Sequence, residues 1–280
     1  MKEAKKIISK EGWDIYYWVN WSRGMNKKFV VMHPASSMNE TSLMPLENGL
    51  NESGYPTLVV RPLEVNDDAP TEPKFYNLDK CSCRLQQIIE KEGLESPHYL
   101  SHSAGFMPIV DYVSRTKNVE SIIGICASYS FPASALNKLV FHLFNHVFRY
   151  LEYPGSFRMN IAHKRKRITR QYPPDQSDLE GKSDRKIFFS IADVPFKNVK
   201  VHTVSGIEMN KWDISNQLRE IDNPMLLVYG SKDYMVKSSA GDYIKKQVKG
   251  DCKIEIIKGT HSLPLHSPKK VLEIIKNYLE

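Results

Sequence analysis

Tyr99-Leu100-Ser101-His102-Ser103-Ala104-Gly105-Phe106-Met107 is the stretch around which the chain is organised. A strand-like run at Tyr99 and Leu100 meets small residues around Ser103, and apolar residues then recur at helical spacing through Met107, Ile109, Val110 and Val113. Strand, turn and helix in such short succession strain the backbone of the residue at the apex. The positions two before and two after it must therefore be small, and here they are Ser101 and Gly105. Ser103 is expected to stand above the edge of a sheet.

The flanking sequence supplies that sheet. Asp14 to Trp21 and Lys28 to Met32 are aromatic and β-branched runs around a turn-like Ser22–Asn26 segment, and they read as an antiparallel pair opening the sheet. The second run enters the small-residue loop His33-Pro34-Ala35-Ser36-Ser37, followed by helical spacing from about Thr41 to Leu50. Thr57–Val60 reads as a short buried strand, Leu78–Lys91 as a helix, and Ser121–Ala127 as a continuous apolar strand. After a long interruption the rhythm resumes at Pro224–Tyr229, with a helix over about Ser238–Val248, a last strand at Lys253–Ile257 and a terminal helix carrying Val271, Leu272, Ile274, Ile275 and Leu279. Alternating helices and fully apolar strands predict an α/β protein, its mostly parallel central sheet covered by helices on both faces.

The interruption defines the domain plan: a core of residues 1–128 and 222–280, and an insertion of 129–221, largely helical, over the site. Ser134–Leu151 places Leu136, Leu139, Val140, Leu143, Phe144, Val147 and Leu151 on one stripe, widened by Phe141 and Phe148. Part of this surplus packs on the core, and part is free to wall an apolar pocket; Phe141, Phe144 and Phe148 are the candidate lining residues, with His33 and Ser36 from the core loop. His163-Lys164-Arg165-Lys166-Arg167, followed by Arg170, is the densest basic run. It reads first as a solvated face, which leaves a weak contact with an anionic surface open. With no recognition helix, zinc-ligand spacing or RNA-binding signature beside it, no specific nucleic-acid partner is expected.

Composition sets the outer bounds. The 280 residues are enough for a sizeable core, and 41% hydrophobic with 25% charged residues is the balance of an ordinary globular protein. The net charge of +7 is spread as lysine over much of the chain. No apolar run reaches the roughly 18 residues of a membrane span, and Lys2 to Lys6 is followed by only Ile7 and Ile8 where a secretion signal needs a longer apolar core, so a cytoplasmic location is expected. Cys81, Cys83, Cys126 and Cys252 are too few for a disulfide scaffold, and Cys81-Ser82-Cys83 is one residue short of metal and redox spacing. They read as buried or idle thiols, and neither a metal nor another cofactor is expected.

A serine hydroxyl is a poor nucleophile at neutral pH without a base beside it and an acid to hold that base. Ser103, Asp233 and His261 occur in that order, each just after a predicted parallel strand, and open α/β sheets gather such strand ends along one crevice. Asp111 and Asp242 fall inside helical patterns, which disfavours them as the acid. His102 precedes the turn and reads as structural support; His266 reads as a surface or capping residue. Ser36 and Ser37 read as bonding backbone or substrate.

On these residues the chain resembles the α/β-hydrolase superfamily in its cap-bearing form. The likeness rests on the His33-Pro34-Ala35 loop, the nucleophile elbow at Ser103, Gly230-Ser231-Lys232-Asp233, and Gly259-Thr260-His261 with Pro268 at the start of the last helix. It implies Ser103 as nucleophile, His261 as base and Asp233 as acid, with the backbone N–H groups of Ala104 and Ala35 as the oxyanion hole. Two departures accompany it: Ser101 stands where glycine is usual, and Pro34 where the family commonly has His-Gly. The implied activity is hydrolysis of a carboxylic ester, a small acyl substrate, through an acyl-serine intermediate. Thioester or carbon–carbon bond hydrolysis by the same triad is the alternative, and a non-catalytic binding protein on the same fold is a third reading. A serine rather than an aspartate at the elbow disfavours the epoxide hydrolase and haloalkane dehalogenase branches.

Overall fold

A computed structural model describes residues 2–22, 27–36, 38–66, 68–130 and 199–280. Eight strands form one sheet: β1 (Lys2–Ile8), β2 (Asp14–Asn20), β3 (Val30–His33), β4 (Thr57–Val60), β5 (His98–His102), β6 (Ser121–Ile125), β7 (Met225–Gly230) and β8 (Cys252–Ile257). Their spatial order is β1-β2-β4-β3-β5-β6-β7-β8. From β4 to β8 every neighbouring pair is parallel, whereas β1, β2 and β4 pair antiparallel.

The opening of the sheet differs from the sequence expectation. Asp14–Asn20 pairs with β1 and β4, and β3 lies beyond β4, so the two runs expected as an antiparallel pair are not neighbours. The real partner, Lys-Glu-Ala-Lys-Lys-Ile-Ile, was hidden by its lysines, which suit an edge strand because charge discourages further pairing. In β2 only one face is covered: Ile15, Tyr17 and Val19 are buried, and the residues between them are partly exposed. Central β4, β6 and β7 are buried along their whole length, as a parallel sheet covered on both faces requires.

The pleat sends alternate residues to two cores. Val31, Leu58, Tyr99, Ile122 and Leu227 join one core, with helices α1 (Leu78–Glu92), α2 (Phe106–Thr116) and α3 (Ser239–Gln247) packed on that face. Val30, Val59, Leu100, Ile123 and Leu226 join the other, closed by the helices Met44–Glu52 and Pro268–Leu279. Local signals set the ends of α1: the Asn77 side chain accepts from Lys80 N at 2.8 Å, and Gly93 at φ +62° stops the helix.

Of the insertion, the first and last parts are described. A bridge joins Ser130 to Asp213, and Ile214 N donates to Tyr129 O at 3.0 Å, so its two ends are pinned side by side. The helix Val199–Met209 lies against the core loops, where Val201 is buried with Leu63, Ala69 and Tyr76. The expected helix Ser134–Leu151, with Phe141, Phe144 and Phe148, and the basic run 163–170 lie outside the described residues, as does Ser37. Among the described residues no helix is long and apolar enough to cross a membrane.

Candidate active site

Three strand ends build the site. Strand β5 ends at His102, and Ser103 follows at φ +53°, a left-handed conformation that costs a residue with a Cβ about 1–2 kcal/mol. A short 3₁₀ turn over Ser103–Gly105 leads into α2. N–H groups in the first turn of a helix have no intrahelical acceptor, and that of Ala104 is among them. Gly105 is obligatory by packing: a Cβ there would strike the carbonyl oxygen of Pro34, lie 2.7 Å from His33 Nδ1 and 2.8 Å from the His33 oxygen. The elbow and the His33-Pro34 loop therefore touch backbone to backbone.

Both departures from the usual pattern are accommodated. The Ser101 side chain is fully buried, with its hydroxyl facing the Ile123 carbonyl at 3.4 Å. After β3, the carbonyl of Pro34 accepts from the His33 ring at 2.9 Å, an internal tie that shapes the loop carrying buried Ala35. His33 is held neutral, its pKa lowered to about 4 by burial.

The loops after β7 and β8 are zipped together. Ser231 N donates to Ile257 O and Lys232 N to Gly259 O, both at 2.8 Å, and a Cβ on Gly230 would lie 2.6 Å from the Gly259 oxygen. Only glycine lets the two loops approach so closely. Asp233 and His261 are thereby brought together from turns 28 residues apart, with His261 Nδ1 2.8 Å from Asp233 Oδ2 and His261 Nε2 2.9 Å from Ser103 Oγ.

All three side chains are buried: Ser103 is 8% exposed, Asp233 8% and His261 7%. A carboxylate only accepts, so His261 carries its proton on Nδ1 and turns the lone pair of Nε2 toward the serine hydroxyl. The other carboxylate oxygen, Oδ1, accepts from Met235 N at 2.8 Å and Val236 N at 2.9 Å. Burial pushes the Asp233 carboxyl up, but the His261 bond and charge, the Val236 N–H and a hydrogen bond from the Cys126 thiol outweigh it and hold it below the usual carboxylate range.

His102 supports the site from behind. Its Nε2 donates to the carbonyl of His261 at 2.8 Å, and burial lowers its pKa to about 3, so it is a neutral brace. His266, expected at the surface or as a cap, is partly buried and bonds Thr260 Oγ1 through Nδ1 at 2.9 Å, bracing the His261 loop. Asp111 is tied to Ser82 of α1, Arg115 of α2 and Gln217, away from this relay.

Sequence reasoning read Cys126 among the buried or idle thiols; it is buried, but its bond to Asp233 was not foreseen. Cys126 follows β6 at φ +49°, fully buried, and its thiol donates to Asp233. The only signal for it was its place directly after a fully apolar strand. His102, Cys126 and His261 also offer three ligand atoms within 4.8 Å of one another. An ion there would have to take a nitrogen of His261 that already bonds serine or carboxylate, so metal binding and the relay exclude each other.

Beside the elbow lies a cavity of about 40 Å³. His33 and Ser36, two of the expected pocket residues, line it, together with Ala104, Gly105 and Arg84.

No family model matches the chain, and no curated protein matches it in sequence. Solved structures do match. The enol-lactonase of Burkholderia xenovorans superposes with a TM-score of 0.76 at 14% identity, covering 98% of this chain and 99% of that one. A bromoperoxidase from Bacillus anthracis gives 0.74 at 17% identity, and an esterase from Exiguobacterium antarcticum 0.73 at 18%, each covering 99% of both chains. At such identities the likeness is one of architecture, and it runs over nearly the whole chain: this chain has the α/β-hydrolase fold.

Proposed function

We propose that the protein is a serine hydrolase of carboxylic esters. The observation that carries the reading is the unbroken relay from Ser103 Oγ through the His261 ring to Asp233, at 2.9 and 2.8 Å. Ser103 attacks the substrate carbonyl while His261 Nε2 takes its proton, and the Asp233 carboxylate stabilises the imidazolium that forms. The oxyanion rests on the N–H groups of Ala104 and Ala35, each such donor being worth about 10²–10³ in rate. His261 then gives its proton to the departing alcohol. Water, activated by the same histidine, frees the acid and restores the serine.

The strained φ of Ser103 supports this assignment, because strain at a single residue persists where the surrounding structure enforces it for a purpose. The bridge between Ser130 and Asp213 brings together the two ends of the insertion between β6 and β7, as a cap on this fold requires.

Hydrolysis of 4-nitrophenyl esters of increasing acyl length by wild type and Ser103→Ala tests the reading. Turnover in the wild type that is lost in Ser103→Ala is expected. Equal rates in the two proteins would overturn it.

A further inference from the structure

Arg84 is the unexplained group beside the proposed site. It rises from α1, is only 6% exposed, and lines the cavity that Ala104, Gly105, His33 and Ser36 also line. Its Nη2 donates to Cys81 Sγ at 3.2 Å, while its buried Nη1 has no hydrogen-bond partner. The sulfur does not neutralise it: burial pushes the Cys81 thiol up to about 12, so Cys81 is uncharged at neutral pH. Arg61, the other guanidinium on the wall, is already bound by Glu40 at 3.3 Å, Asn66 at 3.1 Å and the Val65 carbonyl at 3.0 Å. Glu64 lines the cavity as well, so among the described lining residues Arg84 and Glu64 are the charges left once Glu40 has taken Arg61.

A guanidinium taken out of water with an unmet donor is costly, and such a group is kept where something arrives to satisfy it. Its planar fork matches a carboxylate in particular. The cavity of about 40 Å³ is roughly three times what one ordered water needs, which is the size of a carboxylate rather than of an acyl chain. Much of the rest of its wall, with Ile15, Val60, Leu63, Leu85 and Met209, is apolar and suits the methylenes leading to such a group, and the buried indole N–H of Trp212, also without a hydrogen-bond partner, adds a neutral donor to the wall.

We propose that this cavity is a carboxylate-recognition subsite and that the substrate is an ester whose acyl part ends in a free carboxylate, held by Arg84. This rests on the serine-hydrolase reading for the position of the ester, and on Arg84 alone for the anion. Ala104 belongs both to the elbow and to the cavity wall, which sets the subsite next to the proposed nucleophile.

The experiment compares mono-4-nitrophenyl esters of linear dicarboxylic acids with their methyl-capped, uncharged counterparts. In the wild type kcat/KM should favour the free carboxylate by about ten- to a hundredfold, the worth of one charge-assisted hydrogen-bonded pair. In Arg84→Gln the ratio should fall to near one, chiefly through KM. Arg84→Lys, which keeps the buried charge and guards against misfolding, should retain part of it. A wild type that does not discriminate, or an Arg84→Gln protein that discriminates equally, overturns the subsite.

Two further measurements separate this from failure of the catalytic reading. A fluorophosphonate probe reports Ser103 reactivity irrespective of Arg84. Glutarate should raise the Tm of wild type and of Ser103→Ala but not of Arg84→Gln. Labelling without discrimination refutes the subsite alone, whereas a glutarate shift without labelling or turnover refutes the hydrolase and retains the anion site.

Discussion

Replacing Asp233 with Asn removes one charge and almost no volume, and the structure dictates how the amide must sit. Oδ1 accepts two backbone N–H groups, from Met235 and Val236, Oδ2 accepts one from His261, and the Cys126 thiol adds a weaker donor that can rotate away or accept instead. An amide has a single oxygen. Were its NH₂ turned toward the backbone, two buried donors would face donors, at about 1–3 kcal/mol each. The oxygen therefore stays with the backbone, and the NH₂ meets His261 Nδ1. Histidine must then accept at Nδ1 and carry its proton on Nε2, where it can no longer take the proton of Ser103. A wrong tautomer in an otherwise intact triad lowers kcat by about 10⁴, or about 5 kcal/mol of transition-state stabilisation. Steady-state hydrolysis of 4-nitrophenyl acetate by Asp233→Asn, with its Tm recorded beside the wild type, provides the assay. A loss of about four decades with little change in Tm is expected. Activity within tenfold of wild type would refute the role given to Asp233, and a collapse of Tm would refute the amide orientation argued here.

Two further outcomes follow from backbone strain and buried histidines. Ser103→Gly and Ser103→Ala both lose the hydroxyl, but only glycine relieves φ +53°; the glycine variant should be the more stable by about 1 kcal/mol, the reverse of the usual order, and a higher Tm for the alanine variant would contradict the strain. His33 and His102 have pKa values lowered to about 4 and about 3 in the folded chain, against an ordinary 6.5. Between about pH 4 and 6.5 these two histidines bind protons in the unfolded chain that they do not bind in the folded one, and His98, its pKa also lowered by burial, adds a smaller share. This contribution to stability is complete above pH 6.5 and is lost as pH falls, by up to about 1.4 kcal/mol per pH unit for each histidine. Denaturant unfolding across that range should show the slope, and His102→Gln, which can still donate to the His261 carbonyl, should remove about half of it; an unchanged slope would deny that His102 is buried neutral.

The fold was legible where the sequence alternates cleanly, and only there. Apolar Thr57–Val60 and Ser121–Ile125 read as covered strands, and apolar spacing alone placed α1 to within a residue of its observed end. Pairing was not legible. A strand's residues announce how many of its faces are buried, not which neighbour it meets, so β2 and β3 were read as partners because a turn lies between them. Lysine-rich β1 carried no hydrophobic signal at all, since an edge strand with one solvated face can be built from charged residues.

The relay was legible because each member sits on the loop that follows a strand, and strand ends in a parallel sheet converge by topology rather than by side-chain detail. The groups around it obey no such rule. Cys126 is set by the left-handed turn after β6, and Arg84 is one of the buried positions along a fifteen-residue amphipathic helix whose chemistry is visible only when its Nη1 is found without a partner and its side chain on the cavity beside the elbow. Helical periodicity would place Arg84 beside Leu85 and Ile88 as a residue whose stem covers the core and whose charge reaches water. The charge does not reach water. A recognition group of this kind is defined by a missing partner, and a missing partner leaves no trace in sequence; it emerges only once the walls from β3, β4, α1 and the elbow have been assembled around it.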